Sequence, residues 1–293
     1  MKPSYPSLAA RLQSVLAGVR VLPRRLLLEV GDGPFSIPIL RSVWGKALHT
    51  LSLELYEQVF APPQERGESL AAGYVLRAAP RDPRFPAAAD YLLFGRSVER
   101  DALLWRGWLI ASLLGLGRER QPFSIHTVLA LLPRGLRESS PWDCQEWALS
   151  EAAWPLEGDP AATPCRLCFA GPLRMLSRQR LVEKPRLTDL VEAAIRRVQA
   201  YHASGEDCFG PLREEVTSAA AEVPARNWHG RPADLRRYSA NQAKQLEFRG
   251  VAGHLDLPSG PGAIWPLLAA AQWLHLGKAT VYGLGQMTIK PLT

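Results

Sequence analysis

Apolar residues along the chain follow two rhythms, and the order of those rhythms repeats. Residues 19–30, VRVLPRRLLLEV, read as a strand with a basic interruption, and Gly31-Asp32-Gly33-Pro34 supplies a turn. In RSVWGKALHTLSLELYEQVF, residues 41–60, Val43, Ala47, Leu48, Leu51, Leu55 and Val59 recur at three- and four-residue spacing. That spacing predicts a helix with one apolar stripe, and Arg41, Lys46 and His49 fall outside it. GYVLRAA and DYLLFGRSV predict two short strands, ERDALLWRGWLIASLLGLG a helix and FSIHTVLALL a fourth strand.

The same succession returns in the second half. CRLCFAGPLRML predicts a strand, RLTDLVEAAIRRVQAYHA a helix, and an irregular or helical excursion runs to about Val223. A hairpin from about Trp228 to Leu257 follows, then the helix GAIWPLLAAAQWLHLG and a last strand, ATVYGLGQMTI. Strand, helix, strand, strand, helix, strand is the split βαβ order. The expected fold class is α+β, with two tandem ferredoxin-like, RRM-like domains. They divide at the proline- and glycine-bearing PLEGDPAATP into residues 1–155 and 156–293.

Composition agrees with two packed domains, since 293 residues with 47% hydrophobic content exceed one small core. A formal net charge of +7 points to a polyanionic partner, nucleic acid first. The longest apolar stretch, DALLWRGWLIASLLGLG, is broken by Arg106 and is too short for a membrane span; the opening residues lack the features of a secretory signal. No membrane partner is expected, and cytoplasmic location is the default. Cys144, Cys165, Cys168 and Cys208 read as free thiols. The zinc-like spacing in TPCRLCFAG lacks two further ligands at matching spacing, so no metal site is expected, and the two cysteines read as small apolar strand residues.

Residues 275–285, His-Leu-Gly-Lys-Ala-Thr-Val-Tyr-Gly-Leu-Gly, concentrate Gly277, Gly283 and Gly285 with His275, Lys278 and Tyr282 ahead of the last strand. Glycine at this density lets a ligand approach the main chain closely. Tandem ferredoxin-like domains closed by such a loop resemble the RAMP proteins of CRISPR systems, specifically their repeat-cleaving Cas-six endoribonucleases. His275 stands where the family's first loop glycine would be. LRSVWGKALHTL resembles the family's first helix, LLGLGRERQPFSI its glycine-arginine turn before a strand, and LRRYSANQAKQLEFRGVAGHLDL its second-domain hairpin. The resemblance implies cleavage of the repeat RNA in a CRISPR precursor transcript, giving mature guide RNA without metal or other cofactor. It implies the hairpin of the repeat RNA as partner, and other Cas effector subunits. The implied chemistry is attack of a ribose 2′-hydroxyl on the neighbouring phosphate, leaving a cyclic phosphate.

Such chemistry needs a base, an acid, and cations or N–H groups around the phosphorane. His49, on the first helix, is the natural acid or base, because imidazole as a residue type titrates near neutral pH; its alternative is an idle surface histidine. His275 is the second candidate, with a loop-ordering hydrogen bond as its alternative. His126 alternates with apolar strand residues and reads as packed, while His229 and His254 in the hairpin are left open. Arg24, Arg25, Arg41 and Arg249 are candidates to grip phosphate through their planar donors. Tyr282 is a candidate to position the scissile phosphate. Gly277, Lys278, Gly283 and Gly285 would admit RNA to the loop backbone, with a tight packing turn as the alternative. Lys46, the cluster Arg174, Arg178 and Arg180, and the pair Arg236 and Arg237 are candidates to track RNA, whereas Arg196 and Arg197 read as a helix's wet face. The sheets lack the paired aromatics of an RRM, which argues against simple base stacking on them. A RAMP subunit that binds guide RNA without cutting, and a basic scaffold, remain the rival readings.

Overall fold

A computed structural model describes residues 6–32, 35–60, 64–65, 68–69, 71–80, 82–204, 207–239 and 244–292, with side chains at 64–65, 68–69, 236–239 and 244–246 outside the description. Helix α1 (Leu8–Leu16) opens the chain, its first turn closed by the Ser7 hydroxyl accepting from the Ala10 amide. Strand β1 (Arg20–Val30), helix α2 (Ile37–Leu51), strands β2 (Tyr74–Ala78) and β3 (Ala87–Phe94), helix α3 (Asp101–Leu114) and strands β4 (Phe123–Leu131) and β5 (Leu136–Ser139) follow. After them come β6 (Cys165–Leu173), α4 (Leu187–Tyr201), α5 (Leu212–Glu222), the hairpin β7 (His229–Ser239) and β8 (Lys244–Leu257), α6 (Trp265–Leu274) and β9 (Thr288–Pro291).

Both halves have ferredoxin-like strand order. The first sheet runs β2-β3-β1-β4-β5 and the second β7-β8-β6-β9, with every neighbouring pair antiparallel. The expected fold class is borne out. Contacts divide the chain into one unit of Arg20–Trp147 with Val281–Gly283, and another of Met1–Val19, Ala148–Thr280 and Leu284–Thr293. The sequence reading put residues 1–155 together; here α1 packs against α6, burying Leu12 and Leu16 fully, and so counts with the later residues.

In the first unit, alternation along β1 sends Leu22, Leu26 and Leu28 into a core shared with Trp44 of α2 and Trp108 of α3, whose rings stack at 5.1 Å. In the second, α4 buries Leu190, Val191, Ala194, Ile195 and Val198 at helical spacing, and α6 buries most of its length. Two expected elements differ. The helix expected over residues 41–60 breaks at Ser52, whose backbone is extended, and shorter helical turns carry Leu55 and Val59. ATVYGLGQMTI is not a single strand: Thr280–Tyr282 form a tight helical turn and β9 starts only at Thr288. Ala279, Gly283 and Gly285 have φ of 61°, 81° and 72°, in the left-handed region that no strand can hold.

Candidate functional site

The outward face of α2 is the clearest place where reactive side chains stand exposed together. The stripe buried by Leu40, Val43, Trp44, Ala47 and Leu48 leaves Ser42, Lys46 and His49 facing solvent. Lys46 and His49 are three residues apart and therefore neighbours on the helix surface. The His49 ring stands edge-on to Tyr56, 5.2 Å between centroids, and Tyr56 stacks on Phe60 at 5.0 Å. No hydrogen bond from His49 exists among the described residues, so both ring nitrogens are open to a substrate.

Arg41 occupies the other end of α2. Its Nε donates to the Tyr74 hydroxyl at 2.8 Å, and Nη1 to the Tyr282 hydroxyl at 3.1 Å. The guanidinium lies 3.8 Å from the centre of the Phe60 ring and 4.4 Å from that of Tyr282. Burial, partly offset by Arg41, holds the Tyr74 phenol well above its ordinary pKa, so it stays neutral. Arg41 has no carboxylate partner among the described residues. Eight residues separate it from His49, about 12 Å along a helix, and side chains lean towards the N-terminus. Arg41 therefore clamps the turn Val281–Gly283 and is not aimed at the group His49 would face.

The two strand arginines were expected to grip phosphate, and their charges are taken up inside the unit. Neighbours on a strand face opposite ways. Arg24 points inward, fully buried, and forms a two-pronged ion pair with Asp101 at the start of α3, Nη2 to Oδ2 being 2.5 Å, while Nη2 also donates to the Pro141 carbonyl. Burial opposes its charge, but Asp101 and then Cys144 outweigh that and hold the guanidinium protonated. Arg25, on the other face, shares the buried Asp90 with Arg77 at 2.7 and 3.0 Å.

His275 is likewise not a reactive group. It caps α6 at φ 56°, is fully buried, and its Nδ1–H donates to the Leu284 carbonyl at 2.9 Å. The ends of the glycine loop are tied to the strand β6 and the residues after it. The amides of Lys278 and Gly285 donate to the carbonyls of Arg174 and Pro172 at 2.8 and 2.9 Å, so neither is free for phosphate. A Cβ on Gly277 would come 2.3 Å from the Arg174 carbonyl, and one on Gly285 1.9 Å from that of Leu276. The tight-turn alternative is what these contacts describe. Arg197, read as wet, donates to the Gly277 carbonyl and the Thr280 hydroxyl at 3.0 and 2.5 Å and clamps the loop. Its signal was available: it adjoins the buried stripe of Ala194, Val198 and Tyr201.

Of the cationic cluster, Arg174 turns inward to the Arg249 carbonyl at 2.9 Å, while Arg178 and Arg180 stand exposed on a small hairpin with no ion pair among the described residues. Arg249 is exposed, 3.7 Å from Glu247. Arg236 and Arg237 lie on β7, but their side chains fall outside the described residues. His126, expected to be packed, is exposed against Phe85, because its strand position faces away from the core. Cys165 and Cys168 sit three residues apart on β6 and so point to opposite faces; burial pushes the Cys165 thiol up to about 11. Among the described residues no three His, Cys, Asp or Glu side chains are placed to hold a metal ion, and no helix is long and apolar enough to cross a membrane.

Two sheets of ferredoxin-like strand order, with a clamped glycine turn before the last strand, make up the tandem architecture expected from the sequence. Residues 163–287 match the family model described as CRISPR-associated endoribonuclease Cas6, and the resemblance read from the sequence is borne out. No curated protein matches the chain in sequence. Among solved structures, a Cas6 product complex aligns with a TM-score of 0.61 at 17% identity, over 92% of this chain and 99% of that one. A Thermus thermophilus Cas6 aligns with a TM-score of 0.57 at 16% identity, over 93% and 99%. A partial Cas6-RT-Cas1–Cas2 complex aligns with a TM-score of 0.55 at 14% identity, over 93% of this chain and 46% of that one. At these identities the likeness is one of fold.

Proposed function

We propose that the protein is a Cas6-type endoribonuclease that binds CRISPR repeat RNA and cuts it to mature guide RNA by attack of a ribose 2′-hydroxyl, leaving a 2′,3′-cyclic phosphate without a metal ion. The observation that carries this reading is the exposed Lys46–His49 pair on α2, in a chain whose residues 163–287 match the endoribonuclease family. His49 moves the proton, as base at the 2′-hydroxyl or acid at the leaving oxygen. Lys46, one helical turn earlier, places a cation where the phosphorane gathers charge, and Tyr56 holds the imidazole plane. His49 is the one imidazole on α2, and the other proton transfer is assigned to water. That suits an enzyme making one cut and keeping its product. Arg178 and Arg180 track the RNA backbone. The aligned structures, a Cas6 product complex and a Cas6-RT-Cas1–Cas2 complex, support repeat RNA and other Cas proteins as partners.

The test is incubation with a panel of CRISPR repeat RNAs in EDTA. One cut per repeat is expected, with a cyclic phosphate end, abolished by a 2′-deoxy nucleotide before the cut. Binding of repeat RNA without any cut would favour the RAMP subunit that holds guide RNA; cutting of the deoxy substrate would overturn the 2′-hydroxyl route.

A further inference from the structure

The second sheet buries Cys165, Leu167 and Phe169 under its helices and leaves its other face open. On that face β7 and β8 bring His229 and His254 directly opposite each other, ring centroids 5.1 Å apart and tilted by 44°. They edge a groove of about 390 Å³, within the size range of ligand sites, whose floor is Ala170, Ala252, Gly230 and Gly253. The two glycines are opposed, and a Cβ on either would strike the Trp228 indole or a facing carbonyl, at 2.3–2.9 Å. Those Cβ positions point to the far face of the sheet, so on the groove side the glycines present main chain beside the two alanines.

Charge around the groove is lopsided. Asp256 is the carboxylate beside the histidines, and it is already shared by Arg166, at 2.6 and 3.0 Å, and by Arg226 at 3.8 Å. Arg231, lining the groove, is exposed with no ion pair among the described residues. Two arginines thus share one aspartate, and Arg231 adds a charge that no carboxylate balances among the described residues. A flat, small-residue floor between imidazole rings suits a planar ring, and unbalanced guanidinium groups beside it suit a phosphate; an unpaired nucleotide supplies both. The cysteine reading of this strand does not compete, since no three ligating side chains converge here among the described residues.

We infer that this groove binds single-stranded RNA, one base stacking on His229 and His254 and its phosphate meeting Arg231, as a subsite distinct from the cutting face of α2. The inference rests on the RNA-processing reading for its biological setting. Burial and the nearby Arg166 lower the pKa of His254, with Asp256 opposing, so its ring is neutral and able to stack at neutral pH.

The experiment is fluorescence anisotropy with a labelled oligouridylate of about ten nucleotides, within the usual site sizes of single-strand binders, run beside the repeat-cleavage assay. His229→Ala with His254→Ala should weaken oligouridylate binding roughly 5–150-fold, the worth of one stacked base. Arg231→Ala should weaken it less and flatten its salt dependence. Because the double variant changes the sheet, the exposed single variant His229→Ala is measured as well, and ultraviolet crosslinking of wild-type protein to the oligomer should map to β7 or β8. Equal binding by wild type and all variants, or crosslinks only elsewhere, overturns the groove while leaving repeat cleavage standing. Repeat RNA neither bound nor cut, with oligouridylate still held at the histidines, overturns the nuclease and keeps the groove.

Discussion

Arg24 and Lys46 are cations of the same unit with opposite fates. Arg24 stands on a strand whose alternation forces it into the core, and Asp101 neutralises it there. Lys46 stands on the polar side of an amphipathic helix, beside an unbonded imidazole. The difference shows that a basic residue near a suspected site is chemistry only if the fold leaves its charge unspent. Position in sequence does not decide this; the direction of the Cα–Cβ bond and the nearest carboxylate do.

The sharpest way to separate the two populations is kinetic. His49→Ala should lower the single-turnover cleavage rate by roughly 10²–10⁴-fold while RNA affinity and melting temperature stay near wild type, as expected for a proton-transfer group. A wild-type rate would move the active site off α2. Arg24→Ala should do the reverse. It leaves Asp101 without its partner, which costs about 3–5 kcal/mol of stability, measurable by denaturant unfolding. A loss of cleavage in Arg24→Ala at temperatures where it remains folded would blur the contrast. A smaller effect is expected at the exposed hairpin: Arg178→Glu with Arg180→Glu should reduce the slope of log affinity against log salt by roughly 0.7–0.9 per lost phosphate contact. An unchanged slope would remove that hairpin from the RNA surface.

Much of the fold was legible because hydrophobic period is a local signal. The alternation in FSIHTVLALL marks β4 to within a residue, whereas the stripe from Val43 to Val59 reads through a break, because α2 ends at Leu51, Ser52 is extended, and Leu55 and Val59 lie on separate short helical turns. Helix α1 was missed because it is nine residues long and its reason to exist lies in α6, far along the chain. The Val281–Leu284 segment looked like a strand because its apolar residues are closely spaced, and only the positive φ values at its flanks show the turn. At the site, the exposure of Lys46 and His49 followed from the stripe they do not join. The capture of Arg24 by Asp101, of Arg25 by Asp90 and of Arg197 by the glycine loop joins residues 65–83 positions apart, and no pattern within a window records such pairs.

The docking of α1 has a consequence for synthesis. Leu12 and Leu16 leave the ribosome early, yet the helix that covers them, α6, begins at Trp265, about 250 residues later. At ordinary elongation rates of about 5–20 residues per second, roughly 10–50 s pass with that apolar stripe uncovered. Residues Arg20 to Trp147, which lack only the turn Val281–Gly283 of their unit, are made long before then and can begin to fold as they emerge. The nascent chain therefore carries a nearly complete unit while the apolar stripe of α1 still waits for its cover.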